Sequence, residues 1–186
     1  MQRIPTRLQG LVRLAPAVHG DERGFFMETF REDVWREHGV DAAFVQDNHS
    51  RSRRGALRGI HFQTHPGQGK LVRCARGRVL DVVVDLRRGS PTFGQWESCE
   101  LDDAEGHQLW IPVGFGHGFC VLSDEADFVY KSTAYYDAAT EAGIRFDDPD
   151  VGIEWPSGID LVYSERDRNA PRLAEVVDEL PFAFAA

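Results

Sequence analysis

Short apolar runs rich in Val, Ile, Phe and Trp, broken about every ten residues by Gly, Pro, Asp or Ser, fill the middle of this chain and restrict it to a many-stranded fold. Strands at that spacing stack into a sandwich or close into a barrel. The clearest pair is Lys70 to Ala75 and Val79 to Leu86 around Arg76-Gly77-Arg78, which reads as a hairpin. In its second arm Leu80, Val82, Val84 and Leu86 make one apolar face. Val79, Asp81, Val83 and Asp85 make the other, a mixed face suited to a barrel interior or the lining of a cavity. Further strands are expected at 44–48, 95–101, 108–112, 118–122 and 126–135. Helices are few. Arg31 to His38, ending at Gly39, fits a short one. Asn169 as a cap, Pro171 in the first turn, and Leu173, Val176, Val177 and Leu180 at helical spacing predict a C-terminal helix at about 171–180.

The 186 residues, 42% of them hydrophobic, suit one compact domain over 1–186 with a substantial core. No apolar run approaches the roughly 18 to 20 residues of a membrane span, and Met1-Gln2-Arg3-Ile4-Pro5-Thr6 lacks the apolar stretch of a signal peptide. A cytoplasmic protein without a membrane partner is therefore expected. The net charge of -9 argues against a nucleic-acid partner, yet it allows a small cationic pocket inside an acidic shell. Arg51-Ser52-Arg53-Arg54 is the one dense basic run and reads as a solvated loop. Cys74, Cys99 and Cys120 are too scattered for a disulfide framework or a CxxC metal site, and read as reduced residues packed in strands.

Chemistry concentrates in Arg58-Gly59-Ile60-His61-Phe62-Gln63 and the following Gly69-Lys70-Leu71-Val72-Arg73. An unperturbed histidine titrates near about 6.5 and can act as a base at neutral pH, while neighbouring cations suit a phosphate-bearing ligand. The run Pro112-Val113-Gly114-Phe115-Gly116-His117-Gly118-Phe119 is glycine-rich, which serves equally a tight inter-strand turn or a close approach to a ligand. Convergence of His61, His65 and His117 on a metal ion is a further possibility, but spacing opposes it. Pro66-Gly67 breaks any helix that would align His61 with His65, and in a strand the two would lie roughly 13 Å apart. Tyr130-Lys131 and Tyr135-Tyr136 lie in an aromatic strand, where a tyrosine is either a packing residue or a general acid. Ser164-Glu165-Arg166-Asp167-Arg168 reads as a solvated loop before the last helix, or as the source of an aspartate, Asp167, that orients a histidine.

Taken in order, these segments resemble the dTDP-4-dehydrorhamnose 3,5-epimerase family over nearly the whole chain. The resemblance runs through Gly20-Asp21-Glu22-Arg23-Gly24-Phe25-Phe26, Phe44-Val45-Gln46-Asp47-Asn48-His49-Ser50, the His61 and Lys70 segments, Ser90-Pro91-Thr92-Phe93-Gly94 and Gln108-Leu109-Trp110-Ile111-Pro112. It continues through Gly116-His117-Gly118-Phe119, Tyr130-Lys131, and Asp148 with Gly152-Ile153-Glu154-Trp155-Pro156. It implies a mainly β, cupin-like antiparallel β-barrel (jelly roll) with a few short helices. It also implies a metal-independent isomerase without cofactor, acting on a dTDP-4-keto-6-deoxy sugar as a homodimer. By resemblance His61 is the base, Asp167 its paired carboxylate, Tyr130 the acid on the opposite face and Lys70 the cation beside the enolate oxygen. Arg23, Glu28, Gln46, Asp47, Asn48, Arg58, Lys70, His117 and Glu141 would surround the nucleotide sugar, with Arg23 and Phe26 meeting the nucleotide. The segment from Arg23 to Glu28 would reach into the neighbouring subunit. Two departures stand out: Arg166 replaces the lysine usual in the family before Asp167, and is expected to touch the diphosphate, and the loop Thr64-His65-Pro66-Gly67-Gln68 is short.

The implied reaction is double epimerisation of dTDP-4-dehydro-6-deoxy-D-glucose to dTDP-4-dehydro-L-rhamnose in dTDP-L-rhamnose formation. Three alternatives share the pattern: an epimerase acting at C3 only or C5 only, a nonenzymatic sugar-nucleotide-binding cupin, and a metal-dependent cupin enzyme.

Overall fold

Alternating apolar and polar residues become two facing antiparallel sheets in the computed structural model, which describes residues 1–185. The N-terminal part contributes β1 (Gln2–Ile4), β2 (Val12–Ala15), β3 (Val18–Asp21), β4 (Gly24–Met27) and α1 (Glu32–Glu37). The body follows with β5 (Gln46–Arg53), β6 (Leu57–Gln63), β7 (Lys70–Arg76), β8 (Arg78–Asp85), β9 (Trp96–Asp102), β10 (Gln108–Ile111), β11 (Phe115–Val121) and β12 (Glu125–Ser132). A short β13 (Glu141–Gly143) precedes α2 (Glu165–Arg168) and α3 (Leu173–Val176).

One sheet has six strands in the order β1-β2-β10-β7-β12-β5, and the other five in the order β13-β6-β11-β8-β9. Strands β5 to β12 thus distribute between the sheets as a jelly roll, the double-sheet architecture shared by cupins. Among the described residues no ladder joins the two sheets, so the expected barrel is an open sandwich of that topology and not a closed cylinder.

The sheets pack face to face, and much of each outer face is covered in turn. Between the sheets, Val72 and Cys74 of β7, Leu109 of β10 and Phe128 of β12 pack against Val79 and Val83 of β8 and Phe119 of β11. Behind the five-stranded sheet, Val82, Val84 and Leu86 are covered by Leu173, Leu180 and Phe182 of the C-terminal segment. Behind the six-stranded sheet, Val12, Leu14 and Leu71 receive Trp35 of α1. Each fully buried side chain of this size contributes about 1.5–3 kcal/mol relative to exposure. The mixed face of β8 is, as expected, the inner one.

Several expected elements differ in detail. Lys70–Ala75 and Val79–Leu86 are not a hairpin: β7 lies between β10 and β12, whereas β8 lies between β11 and β9 in the opposite sheet. Gly77, at φ +78, turns the corner where any Cβ would strike the Glu125 carbonyl oxygen at 2.1 Å. Arg51-Ser52-Arg53 belongs to β5 and is not a loop. There Arg51 donates to both oxygens of Asp127 at 2.7 and 2.8 Å, and the Ser52 hydroxyl accepts from Arg58 Nε at 3.2 Å. Ser164–Arg168 is a capped helical turn, with Asn169 at its C-terminal end. The C-terminal helix read at about 171–180 is instead α3 followed by a 3₁₀ turn, Val177–Glu179. It opens at Arg172, whose backbone N–H donates to Glu175 Oε2 at 2.7 Å.

Candidate active site

At one end of the space between the sheets opens a cleft of about 660 Å³. Strand alternation decides what enters it. On β7, Lys70 shares the inward face with Val72 and Cys74; on β12, Tyr130 shares it with Phe128, and Asn48 of β5 stands opposite Tyr130 in register. Asp47, one residue along β5, points to the far face and accepts from Lys131 Nζ at 2.9 Å.

A bulge on β6 brings two more residues in. Arg58 and His61 are three apart and would face opposite ways in a regular strand. Against β11, however, Arg58 pairs with Phe119 and His61 with His117, so β6 carries one extra residue and both side chains line the cleft. The bulge depends on glycine on both strands. A Cβ on Gly59, at φ +139, would lie 2.5 Å from Gly118 Cα, and one on Gly118 would lie 2.7 Å from the Arg58 carbonyl oxygen.

His61 Nε2 donates to Asp167 Oδ1 at 2.5 Å, which leaves Nδ1 as the nitrogen with a free lone pair. Asp167 is 4% exposed, and its other oxygen accepts from Ser164 Oγ at 2.8 Å. Burial alone would raise the Asp167 carboxyl, but the bonds from His61 and Ser164 outweigh it and hold the group below its ordinary range. The same Ser164 caps α2 by accepting from the Asp167 backbone N–H at 3.1 Å, so the cap and the carboxylate are fixed together. A second histidine stands beside the first in register: His117 Nε2 donates to the buried Asp81 Oδ2 at 2.8 Å, and its ring stacks on Phe128 at 5.9 Å between centroids.

Across the cleft, burial pushes the Lys70 ammonium down to about 8, against the opposing pull of Glu141 and Asp81. Its Nζ lies 5.9 Å from the centre of the Tyr130 ring. Burial, reinforced by Glu141, raises the Tyr130 phenol above its ordinary value, with Arg58 opposing. Tyr130 therefore stays protonated and able to donate at neutral pH. At the rim, Glu141 Oε2 accepts from Tyr136 OH at 2.8 Å and from Arg166 Nη1 at 2.5 Å. Burial tends to raise Glu141, but Arg166 and Tyr136 keep it lowered and ionised.

The cleft thus gathers Asn48, Arg58, His61, Lys70, His117 and Tyr130, together with Glu141, Arg166 and Asp167. Gln46 lies just outside, donating to Asn48 Oδ1 at 2.9 Å and accepting from the Tyr136 backbone N–H at 2.9 Å. Arg23, Phe26 and Glu28 are not brought in. They sit on or after the β3–β4 ribbon, where Arg23 pairs with Asp21, Phe26 is 71% exposed and Glu28 meets Arg31 at 3.7 Å. His65 is exposed and does not line the cleft. Among the described residues no group of three or more His, Cys, Asp or Glu side chains is placed to hold a metal ion. Sequence reasoning missed three participants: Ser164, Asp81 as the partner of His117, and Tyr136 on Glu141. The inward alternation of β8 and the Ser-x-x-Asp spacing of the cap were the signals for the first two.

A lone pair on one wall, a protonated phenol on the other and a half-buried ammonium beside it are the parts needed to move protons on and off a carbon acid. Jelly roll and cleft together define a cupin-like isomerase. A family model described as dTDP-4-dehydrorhamnose 3,5-epimerase matches residues 5–175. The chain is 50% identical over 174 residues to dTDP-4-dehydrorhamnose 3,5-epimerase of Methanothermobacter thermautotrophicus, covering 92% of this chain and 94% of the relative. It is 45% identical to dTDP-4-dehydrorhamnose 3-epimerase of Streptomyces niveus, covering 96% and 86%. The structure superposes with a TM-score of 0.96 on dTDP-6-deoxy-D-glucose-3,5-epimerase of Legionella pneumophila in complex with dTDP-4-keto-L-rhamnose, at 46% identity over 100% of this chain and 99% of that one. The chain belongs to the dTDP-4-dehydrorhamnose 3,5-epimerase family.

Proposed function

We propose that this chain converts dTDP-4-dehydro-6-deoxy-D-glucose to dTDP-4-dehydro-L-rhamnose, inverting C3 and C5, as a cytoplasmic homodimer of one cupin-like domain per chain spanning 1–186. The observation that carries the reading is the pairing of His61 with the buried Asp167 on the five-stranded side of a cleft whose six-stranded side presents Tyr130. The ketone at C4 acidifies the C–H bonds on either side of it. His61 Nδ1 removes a proton from one face, and the electron pair moves onto O4 as an enolate. Asp167 stabilises the imidazolium so formed. Tyr130 then delivers its phenolic proton to the same carbon from the other face, which inverts the centre. Each such positioned proton transfer contributes roughly 10² to 10⁴ in rate. Lys70, half-buried at the cleft wall, meets the enolate oxygen where negative charge appears, an effect of about 3 kcal/mol for a single well-placed donor. The proton count balances without an oxidant or reductant.

Arg58 and Arg166 serve the diphosphate, while His117, Asn48 and Gln46 hold the sugar side of the cleft and Glu141 orders the rim. Asp47 faces away within its own subunit and takes its place in the site through the strand it shares with Gln46 and Asn48. Arg23, Phe26 and Glu28, carried outward on the β3–β4 ribbon, meet the nucleotide in the partner subunit's cleft.

The test is the configuration of the product. NMR of the sugar nucleotide released from dTDP-4-dehydro-6-deoxy-D-glucose is expected to show both centres inverted. The similarity to the Streptomyces niveus 3-epimerase supports a second reading, inversion at C3 alone. A product inverted only at C3 would establish that reading in place of the first.

A further inference from the structure

The cleft is not uniform along the strands that line it. On three of them an apolar side chain lies to the same side of the chemical residues: Leu57 before His61 on β6, Phe119 after His117 on β11 and Phe128 before Tyr130 on β12. Register and packing make these one group. Strand β11 runs antiparallel to β6 with Phe119 opposite Arg58, and the Phe119 and Phe128 rings stack from facing sheets at 4.2 Å between centroids. All three are buried, and none carries a hydrogen-bonding atom in its side chain. The opposite end of the cleft is polar. There Glu141 stands opposite Gln63, beyond His61, and accepts from Tyr136 and Arg166. Depth is graded as well: Lys70, on β7, lies two strands in from β5 at the sheet edge, whereas Arg58 and Arg166 are exposed.

A 4-keto-6-deoxyhexose carries a matching asymmetry. When its C4 oxygen meets Lys70, the anomeric carbon across the ring points its diphosphate toward the exposed arginines. One flank of the ring, C2 and C3, bears hydroxyls that need partners. The other bears C6, a methyl and the one substituent with no hydrogen-bonding atom. Resting on the epimerase reading above, we infer that Leu57, Phe119 and Phe128 form a methyl seat that receives C6 and selects 6-deoxy sugars over those with a 6-hydroxyl. The Phe128 ring lies 6.4 Å from that of Tyr130 and 5.9 Å from that of His117 between centroids, so a methyl one bond from C5 meets it while C5 stays between the two walls. A hydroxymethyl group in the same place would bury its hydroxyl against hydrocarbon, stripped of water and given no partner. The hydroxyls on C2 and C3 fall toward the polar end, and the ring is held one way round.

The seat is tested by comparing dTDP-4-dehydro-6-deoxy-D-glucose with dTDP-4-dehydro-D-glucose, which differs from it by the 6-hydroxyl alone. Deuterium uptake from deuterated water, followed by NMR, gives kcat/KM for each. The parent protein should favour the 6-deoxy sugar by roughly a hundredfold, the discrimination an apolar pocket achieves against an added hydroxyl. Phe128→Leu opens room for the hydroxyl and a water, and should lower that ratio to roughly tenfold or less even though both sugars react more slowly. Phe119→Leu opens the same space from the stacked ring and serves if Phe128→Leu does not fold. General damage to the site slows both sugars alike and leaves the ratio where it was. Equal rates on the two sugars with the parent protein would overturn the seat, and so would a folded variant that keeps the parent ratio. Absence of deuterium uptake from the 6-deoxy sugar itself would instead refute the epimerase reading on which the seat rests.

Discussion

Among single residues, Lys70 makes the sharpest demand on pH. Burial has lowered its folded-state pKa to about 8, so in the free protein the ammonium is present below that pH and is lost as pH rises through it. The rate constant kcat/KM, which reports the free enzyme, should therefore fall above pH ~8. Tyr130 cannot account for that limb, since its phenol is raised above its ordinary value near 10 and loses its proton later. Lys70→Arg should move the limb to higher pH, at some loss of rate from altered geometry; an unmoved limb would assign it elsewhere. Tyr130→Phe removes the acid without touching the base. His61 can then only return the proton to the face it came from, so solvent exchange at the substrate carbons should persist while inversion drops by roughly a hundredfold or more. Mass spectrometry of recovered substrate against product would show it. His61 and Lys70 could be singled out as chemical residues from their own neighbourhood. Asp167 could be read from its segment only as an aspartate that orients some histidine; it stands 106 residues from His61, and the resemblance to a family joined the two.

At the scale of elements, short irregularities place the chemistry. The β6 bulge turns an odd spacing into a shared face, and the single turn of α2 holds Asp167 under the control of its own cap. Ser164→Ala should cost about 1 kcal/mol as a lost N-cap, seen as a lower Tm. It should also lower kcat more than it weakens dTDP binding, since the freed carboxylate no longer fixes His61; unchanged kcat would confine Ser164 to stability. Strand positions were legible because period-two alternation is local, and the inward face of β8 was read correctly for that reason. Pairing was not. The turn Arg76-Gly77-Arg78 has hairpin residues, but Gly77 packs against Ser123 and Glu125, far along the chain, and the two arms enter opposite sheets. The basic run in β5 escaped for a similar reason: Asp127, which neutralises Arg51, arrives from another strand.

At the scale of the whole molecule, the β3–β4 ribbon stands outside both sheets with Phe25 and Phe26 exposed at 59% and 71%, an arrangement suited to burial against a second copy. Sedimentation should give a dimer, and Arg23→Ala should weaken dTDP binding without changing the association state; full affinity in that variant would remove the ribbon from the site. No helix among the described residues is long and apolar enough to cross a membrane. The two-sheet frame matters because it sets His61 and Tyr130 on opposing walls, from which we propose that they work the two faces of one keto sugar. Turnover of dTDP-4-dehydro-6-deoxy-D-glucose in deuterated water, followed by NMR, tests it most directly. Deuterium should appear at both C3 and C5 with the parent protein, and at neither with His61→Ala, even though that variant still binds dTDP. Incorporation at both carbons by His61→Ala at the parent rate would contradict the account.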